Sequence, residues 1–356
     1  MGREPLFDPA DFRIEPGVAH LCAAGESAFL RAHDQAFADF AADTSRAEAG
    51  RDRQFARERT ARGQAAALFG VDASEIGFVS NVAEGMSILA ESVAWVEGDT
   101  VHVNAIEFPS VALPFSMGGV ELSPRVEART RVVAVSHVSY LTGERRDLVA
   151  LREAADRHGA LLVVDFSQSA GVLPVEAYLA DFAFSACYKF LLGCTGVAVA
   201  YWNRRRQPGW TPRSGGWNSV ELADLPDYQA PAVPRPDAAR FTRGNPALPS
   251  VYVLSSALEY LARYDRGDLA AHVEALAGEL LDGLAGLRIE PLTPREAARR
   301  GPSVSIPAAD PQGLARRLAA RSVLAWGGQG RLRLSFHGYN GSRDVEQALS
   351  ALRIEL

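Results

Sequence analysis

Lys189 stands between a run of apolar and small residues, Phe182 to Tyr188, and the glycine-punctuated stretch Leu191-Leu-Gly-Cys-Thr-Gly196. The alternation ahead of it suggests the end of a buried strand, and the glycines behind it let the backbone turn closely around whatever the lysine holds. A lysine amine in such a place is poorly solvated as a cation. Its pKa falls, and it becomes a nucleophile able to form a Schiff base. Taken alone, Lys189 is equally a solvated lysine following a strand, which is the commoner case. The residues upstream change that reading. Leu161-Leu-Val-Val-Asp165-Phe-Ser-Gln168 is an apolar strand ending in an acid. One buried strand ending in a carboxylate and a second ending in an amine suit a cofactor that presents an aldehyde and a protonated ring nitrogen and works as an electron sink.

Other segments are arranged to position these groups. Glu75 to Ile88 reads as a short strand, a polar turn at Asn81 and a helix beginning near Val82. The open N–H groups and dipole of such a helix start bind a phosphate, although Asn81 is also an ordinary helix cap. Val101 to Ser110 is a strand ending in the polar turn Glu107-Phe108-Pro-Ser110, and Arg131 to Gly143 is a further buried strand and loop containing His137 and Tyr140. A helix over Asp147 to His158 returns the chain to the Asp165 strand. Strand–helix–strand alternation of this kind implies a mainly parallel sheet covered on both faces. Ligands on such sheets sit at the carboxyl ends of the strands, where Asp165, Gln168 and Lys189 fall. Ser27 to Phe69 carries two helical patterns with a solvated charged face over Arg46 to Arg62. Helices are expected over Ser250 to Tyr264 and Leu269 to Leu284. Near the end, Arg331 and Arg333 alternate on a strand, and an arginine is a planar, two-pronged clamp for a carboxylate.

Together these motifs resemble the class V aminotransferase family of fold-type I pyridoxal phosphate enzymes, which includes kynureninases, cysteine desulfurases and isopenicillin N epimerase-like proteins. The likeness runs from about Val18 onward. It implies pyridoxal 5'-phosphate as cofactor, with Lys189 as its Schiff-base partner and Asp165 facing the ring nitrogen. Gln168 would donate to the ring oxygen and Phe108 would stack on the ring. The phosphate would lie on the backbone at Val82 and Ala83, with Tyr188 and Trp217 reaching it. Asn245, in Gly244-Asn-Pro246, corresponds to an element that reaches the phosphate from the partner subunit, which implies a two-fold homodimer with shared active sites. The family pattern Arg-x-Ser-x-x-x-Tyr-Asn falls on Arg333, Ser335, Tyr339 and Asn340, so Arg333 is assigned the substrate α-carboxylate, and Arg331 is expected to face solvent or a surface acid. Departures from the family pattern are Cys22 and Ala23 for the usual Asp and Asn, Ala83 for a hydroxyl residue, and Tyr140 for an Asn. Desulfurases carry a cysteine nucleophile in the region corresponding to Val323 to Gln329, which has none here.

The chain has 356 residues, 47% hydrophobic and 22% charged, with a formal net charge of −6. That length supports a large core in two lobes, and the mildly acidic balance argues against nucleic acid or an anionic membrane as the main partner. No apolar run approaches a transmembrane length, and the first residues lack a signal-peptide pattern. Cys22, Cys187 and Cys194 show no metal spacing, so no metal is expected, and they suit a reducing cytoplasm. Apart from the Pro-rich Leu225 to Pro236 there is no biased tract. The expected organisation is an N-terminal arm (1–17), a large cofactor domain (18–245) and a small α+β domain (246–356). The expected activity is that of a pyridoxal phosphate-dependent enzyme acting on an amino acid, most simply an aminotransferase. A kynureninase-like or C–S lyase, an epimerase, and a catalytically silent cofactor-binding or regulatory protein are the alternatives.

Overall fold

The structure is a computed structural model and describes residues 2–222, 227 and 229–356; the Pro-rich stretch expected from Leu225 begins outside the described residues. Apolar runs that cannot face water on either side become the centre of a seven-stranded sheet. Its order is Ile76–Val79, Ala198–Trp202, Phe182–Ala186, Leu161–Asp165, Thr130–Ser136, Thr100–His102 and Glu121–Ser123. The last five are parallel, whereas Ala198–Trp202 runs antiparallel to both of its neighbours. Two antiparallel steps restore the direction, so Val79 ends at the same rim as Asp165 and Ala186. Register places Ser136 beside Asp165 and Asp165 beside Phe184. The phosphate-type turn, the acid and the lysine therefore arrive at one edge of the sheet as a consequence of strand order.

The helix Val82–Ser92 starts at that edge with the Asn81 side chain accepting from the Glu84 N–H, an N-cap. It lies unusually close to the sheet. A Cβ on Gly85 would stand 2.4 Å from the Phe184 ring, so only glycine lets the helix start settle against the lysine-bearing strand. On the other side, Leu148–His158 is capped by Asp147 and carries Arg157 and His158 in its last turn, where they oppose the helix dipole. Beneath it, the buried Asp181 accepts from Arg152 at 2.6 Å and from the Leu162 backbone at 2.8 Å, which fixes the start of the Asp165 strand.

The C-terminal part forms a three-stranded antiparallel sheet, Ser303–Pro307, Arg331–Ser335 and Trp326–Gly328, with the helices Arg266–Gly286, Pro311–Ala319 and Ser342–Glu355. Val323 to Gln329 contains two short strands, because Val323–Leu324 pairs in parallel with Ala19–His20 and Trp326–Gly328 pairs with Arg331–Ser335. The N-terminal strand thus reaches the C-terminal sheet, and Cys22 bridges to Ser335. The stretch before it contains one 3-10 turn, Pro9–Asp11, and is anchored by the buried rings of Phe7 and Phe12 against Tyr260. The helices His33–Thr44 and Ala47–Phe69 pack on Leu248–Leu261. Of the arginine run expected to be solvated, Arg62 is the exception: it is buried and donates to Asp237 at 2.8 Å.

Candidate active site

Along the carboxyl rim of the sheet opens a cleft of about 440 Å³ lined by residues that include Ser80, Asn81, Val82, Ala83, Phe108, Asp165, Ser167, Tyr188, Lys189, Thr195 and Gly196. That volume suits a small cofactor with a small substrate. Lys189 is 7% exposed, with its Nζ 5.3 Å from the centre of the Phe108 ring and 5.5 Å from that of Tyr188. Burial lowers its pKa to about 8, Asp165 opposes that shift and Arg333 adds to it. The amine is therefore neutral for an appreciable fraction of molecules near neutral pH, which a solvated lysine is not. Lys189 is also the sole lysine in the chain: every other member of the 37 lysines and arginines is an arginine. Arginine cannot be deprotonated in a protein and so cannot take over a free amine's chemistry. The one lysine lies where a primary amine can be used.

The backbone beyond Lys189 turns differently from the glycine-led turn that its sequence suggests. Leu192, buried, takes the left-handed conformation at φ 58°, and its N–H donates to the Lys189 carbonyl at 3.0 Å. Gly193 instead allows close approach, since a Cβ there would be 3.0 Å from the Cys187 carbonyl. A left-handed leucine costs on the order of 1 kcal/mol and persists only where its surroundings hold it. Ser27 provides part of that hold, its hydroxyl donating to the Lys189 carbonyl at 2.5 Å.

Asp165 is 4% exposed, and burial pushes its pKa up while the Ser167 hydrogen bond and Lys189 pull it down. Ser167 donates to the same carboxylate oxygen, Oδ1, through its N–H at 2.8 Å and its hydroxyl at 2.5 Å. The Ser167 hydroxyl also accepts from the Ala186 N–H at 2.8 Å. Ser167 therefore opposes the rise that burial imposes on the carboxyl and ties it to the end of the lysine-bearing strand. The residue pattern marks Ser167 only by its position two residues after a strand-ending Asp, where an Asx-type turn forms. Glu107 was likewise read only as a neighbour of Phe108. Its carboxylate accepts from the Ser136 N–H at 2.9 Å and the Phe108 N–H at 2.8 Å, clamping the Phe108 turn onto the adjacent strand.

Gln168 is buried beside Asp165 and spends one amide N–H on the Ala24 carbonyl at 3.1 Å, leaving the second for a ligand. Val82 and Ala83 are the first residues of their helix, so their N–H groups have no partner within it. The Glu84 carboxylate is turned back to the Ser80 N–H at 2.7 Å. Tyr188 is half-buried and burial raises its hydroxyl pKa, so it stays a donor. Arg333 lies behind the Cys22–Gly25 turn and donates to the Tyr140 carbonyl at 2.7 Å. Burial and then Arg331 lower its pKa to about 10. Arg331 does not face solvent or a surface acid, as the sequence suggested. It is 0% exposed and stacked between Tyr140 and Trp326, because equal spacing sends both arginines to the same covered face. Trp217 and Asn245 do not line the Lys189 cleft. Trp217 is 48% exposed, and the Asn245 side chain accepts from Arg51 at 3.0 Å on another surface of the chain.

A buried neutral-prone amine opposite a buried, hydrogen-bonded acid, beside a flat ring and an unfilled helix start, is what an aldehyde-bearing phosphate cofactor needs, and the residues present fit pyridoxal phosphate. Two outcomes are expected. Ser167→Ala removes a hydrogen bond to a buried charge, worth about 1.5 kcal/mol, so the dissociation constant for pyridoxal phosphate rises about tenfold; equilibrium titration of cofactor-free protein measures it, and an unchanged constant contradicts the role. The attacking form of Lys189 is the unprotonated amine, and with its pKa lowered to about 8 the rate of capture of pyridoxal phosphate rises with pH and levels off above pH 8. Stopped-flow absorbance follows this, and a rate still climbing steeply towards pH 10 would indicate a solvated amine.

Among known proteins, the chain is 25% identical over 311 residues to the uncharacterized aminotransferase YcbU of Bacillus subtilis (strain 168), covering 82% of each chain. It is 29% identical over 213 residues to the kynureninase of Pseudomonas fluorescens, covering 57% of this chain and half the length of that enzyme. The apo cysteine desulfurase from Thermococcus onnurineus NA1 superposes with a TM-score of 0.87 at 22% identity, covering 97% of this chain and 96% of that one. The cystine C–S lyase C-DES does so with a TM-score of 0.86 at 18% identity, covering 95% and 98%. These structures share the fold. Residues 119–348 match the family model described as aminotransferase class-V, more than half of the sequence, and the chain belongs to that family.

Proposed function

We propose that this protein is a pyridoxal phosphate-dependent enzyme acting on an amino acid, an aminotransferase or a lyase. The observation that carries the reading is the sole lysine, buried and facing a buried, hydrogen-bonded aspartate across the cleft. Bound there, the cofactor supplies an electron sink for the charge left on the substrate Cα when a bond to it breaks. Asp165 would face the ring nitrogen and favour its protonated form, and the Ser167 hydrogen bonds favour the charged form of Asp165. Phe108 would stack on the ring and, having no titratable group, would move no proton. The Val82 and Ala83 N–H groups and the Tyr188 hydroxyl would hold the phosphate, and Gln168 would donate to the ring oxygen. Arg333 would hold the substrate α-carboxylate, and the Lys189 Nζ would move the α-proton.

Trp217 and Asn245, remote from the cleft of their own chain, fit a two-fold dimer in which Asn245 of the partner subunit reaches the phosphate. Desulfuration through a protein persulfide is disfavoured. Val323 to Gln329 holds no cysteine, and burial raises the pKa of Cys22 to about 11 and that of Cys187 further still, so neither is a ready thiolate.

The test is a visible spectrum of the cofactor-loaded protein while amino acids, including kynurenine, are added. Loss of the yellow band to the amine form of the cofactor identifies a transaminase, and a persistent band with release of pyruvate, ammonia, sulfide or anthranilate identifies a lyase. Lys189→Ala is expected to keep the fold and lower turnover by at least about 1000-fold; a variant with near-parental activity sinks the scheme.

A further inference from the structure

Arg331 and Arg333 leave the same face of their strand, and neither is solvated, at 0% and 4% exposed. Both guanidinium groups donate to one neutral acceptor, the Tyr140 carbonyl, at 3.2 and 2.7 Å. Both also sit over the Trp326 ring, 4.7 and 5.0 Å from its centre. Among the described residues no carboxylate pairs with either, and the Nε of each has no partner. The nearby Cys22 does not supply the missing charge, since burial keeps its thiol protonated. Buried charges are ordinarily paired, and two cations side by side in a poorly polarisable interior disfavour one another. A site with two positive charges and only neutral acceptors is suited to negative charge brought in by a ligand. A single α-carboxylate on Arg333 answers half of it.

The other half is covered by a displaceable group. Arg331 donates to the Gln329 side-chain oxygen at 2.9 Å. Gln329 is an exposed residue at a hairpin tip with φ 51°, so its amide can swing away without disturbing the core. A carboxylate in its place makes a stronger, charge-assisted bond.

We infer that this arginine pair selects a dicarboxylic amino acid, with Arg333 on the α-carboxylate and Arg331, uncapped by Gln329, on the side-chain carboxylate. The inference rests on the reading of the cleft as an amino-acid site. Because the two guanidinium groups share one carbonyl oxygen, they lie within the span of the two carboxylates of aspartate or glutamate.

The experiment uses the cofactor-loaded protein and unreactive probes: succinate and glutarate against propionate and butyrate, with binding read from the perturbation of the cofactor band. The dicarboxylates are expected to bind at least about tenfold more tightly. Arg331→Met is expected to reduce that ratio to about twofold or less, and Arg333→Met to weaken both classes. The ratio in the parent protein decides the matter even if a variant fails to load cofactor. Equal binding of the two classes by the parent overturns the inference and leaves Arg333 as a carboxylate anchor. If no acid and no amino acid perturbs the band, the amino-acid reading of the site falls, and this inference falls with it.

Discussion

Everything in this molecule depends on keeping an amine and a carboxylate buried in one cleft without letting them neutralise each other. A buried lysine left alone loses its proton readily, and a buried aspartate left alone gains one. Here burial lowers the Lys189 pKa to about 8, while Ser167 donates twice to Asp165 and opposes, without cancelling, the rise that burial imposes. The amine stays available, and the carboxyl is held in place by its Ser167 hydrogen bonds. The sheet provides the distance between them, because the two groups sit at the ends of adjacent parallel strands and the lysine lies beyond its strand on a strained, buried turn.

Around that pair the two sheets are joined through side chains. Glu107 clamps the Phe108 turn to the strand ending in Ser136. The Phe108 ring meets Tyr140 edge-on, with centroids 5.0 Å apart, and the Tyr140 carbonyl receives both arginines of the C-terminal sheet. A continuous series of contacts thus runs from the lysine to the guanidinium groups that would hold the substrate.

Much of this was legible from residue order. The apolar runs ending at Asp165 and before Lys189, and the helix starting at Val82, fall where the sequence places them, since continuous apolar strands and a capped helix start leave few alternatives. What was missed required neighbours that lie far off in the chain. Ser167 matters because its hydroxyl meets Ala186 on the next strand. Arg331 is buried because Trp326 and Tyr140 fold over it, although alternation alone gave both arginines the same face. Leu192 takes the left-handed position because Gly193 is needed for close approach. Trp217 and Asn245 lie outside the cleft, and their place in a site depends on a second chain. The most telling signal was compositional and went unused: one lysine among so many arginines.

That singularity gives the central claim its most direct test. Purified protein is loaded with pyridoxal phosphate, reduced with borohydride, digested and mapped by mass spectrometry. One pyridoxyl group per chain on the peptide containing Lys189 is the predicted result. No incorporation, or incorporation confined to the N-terminal amine, would contradict the account, because no other side chain in the sequence offers a primary amine to hold the cofactor.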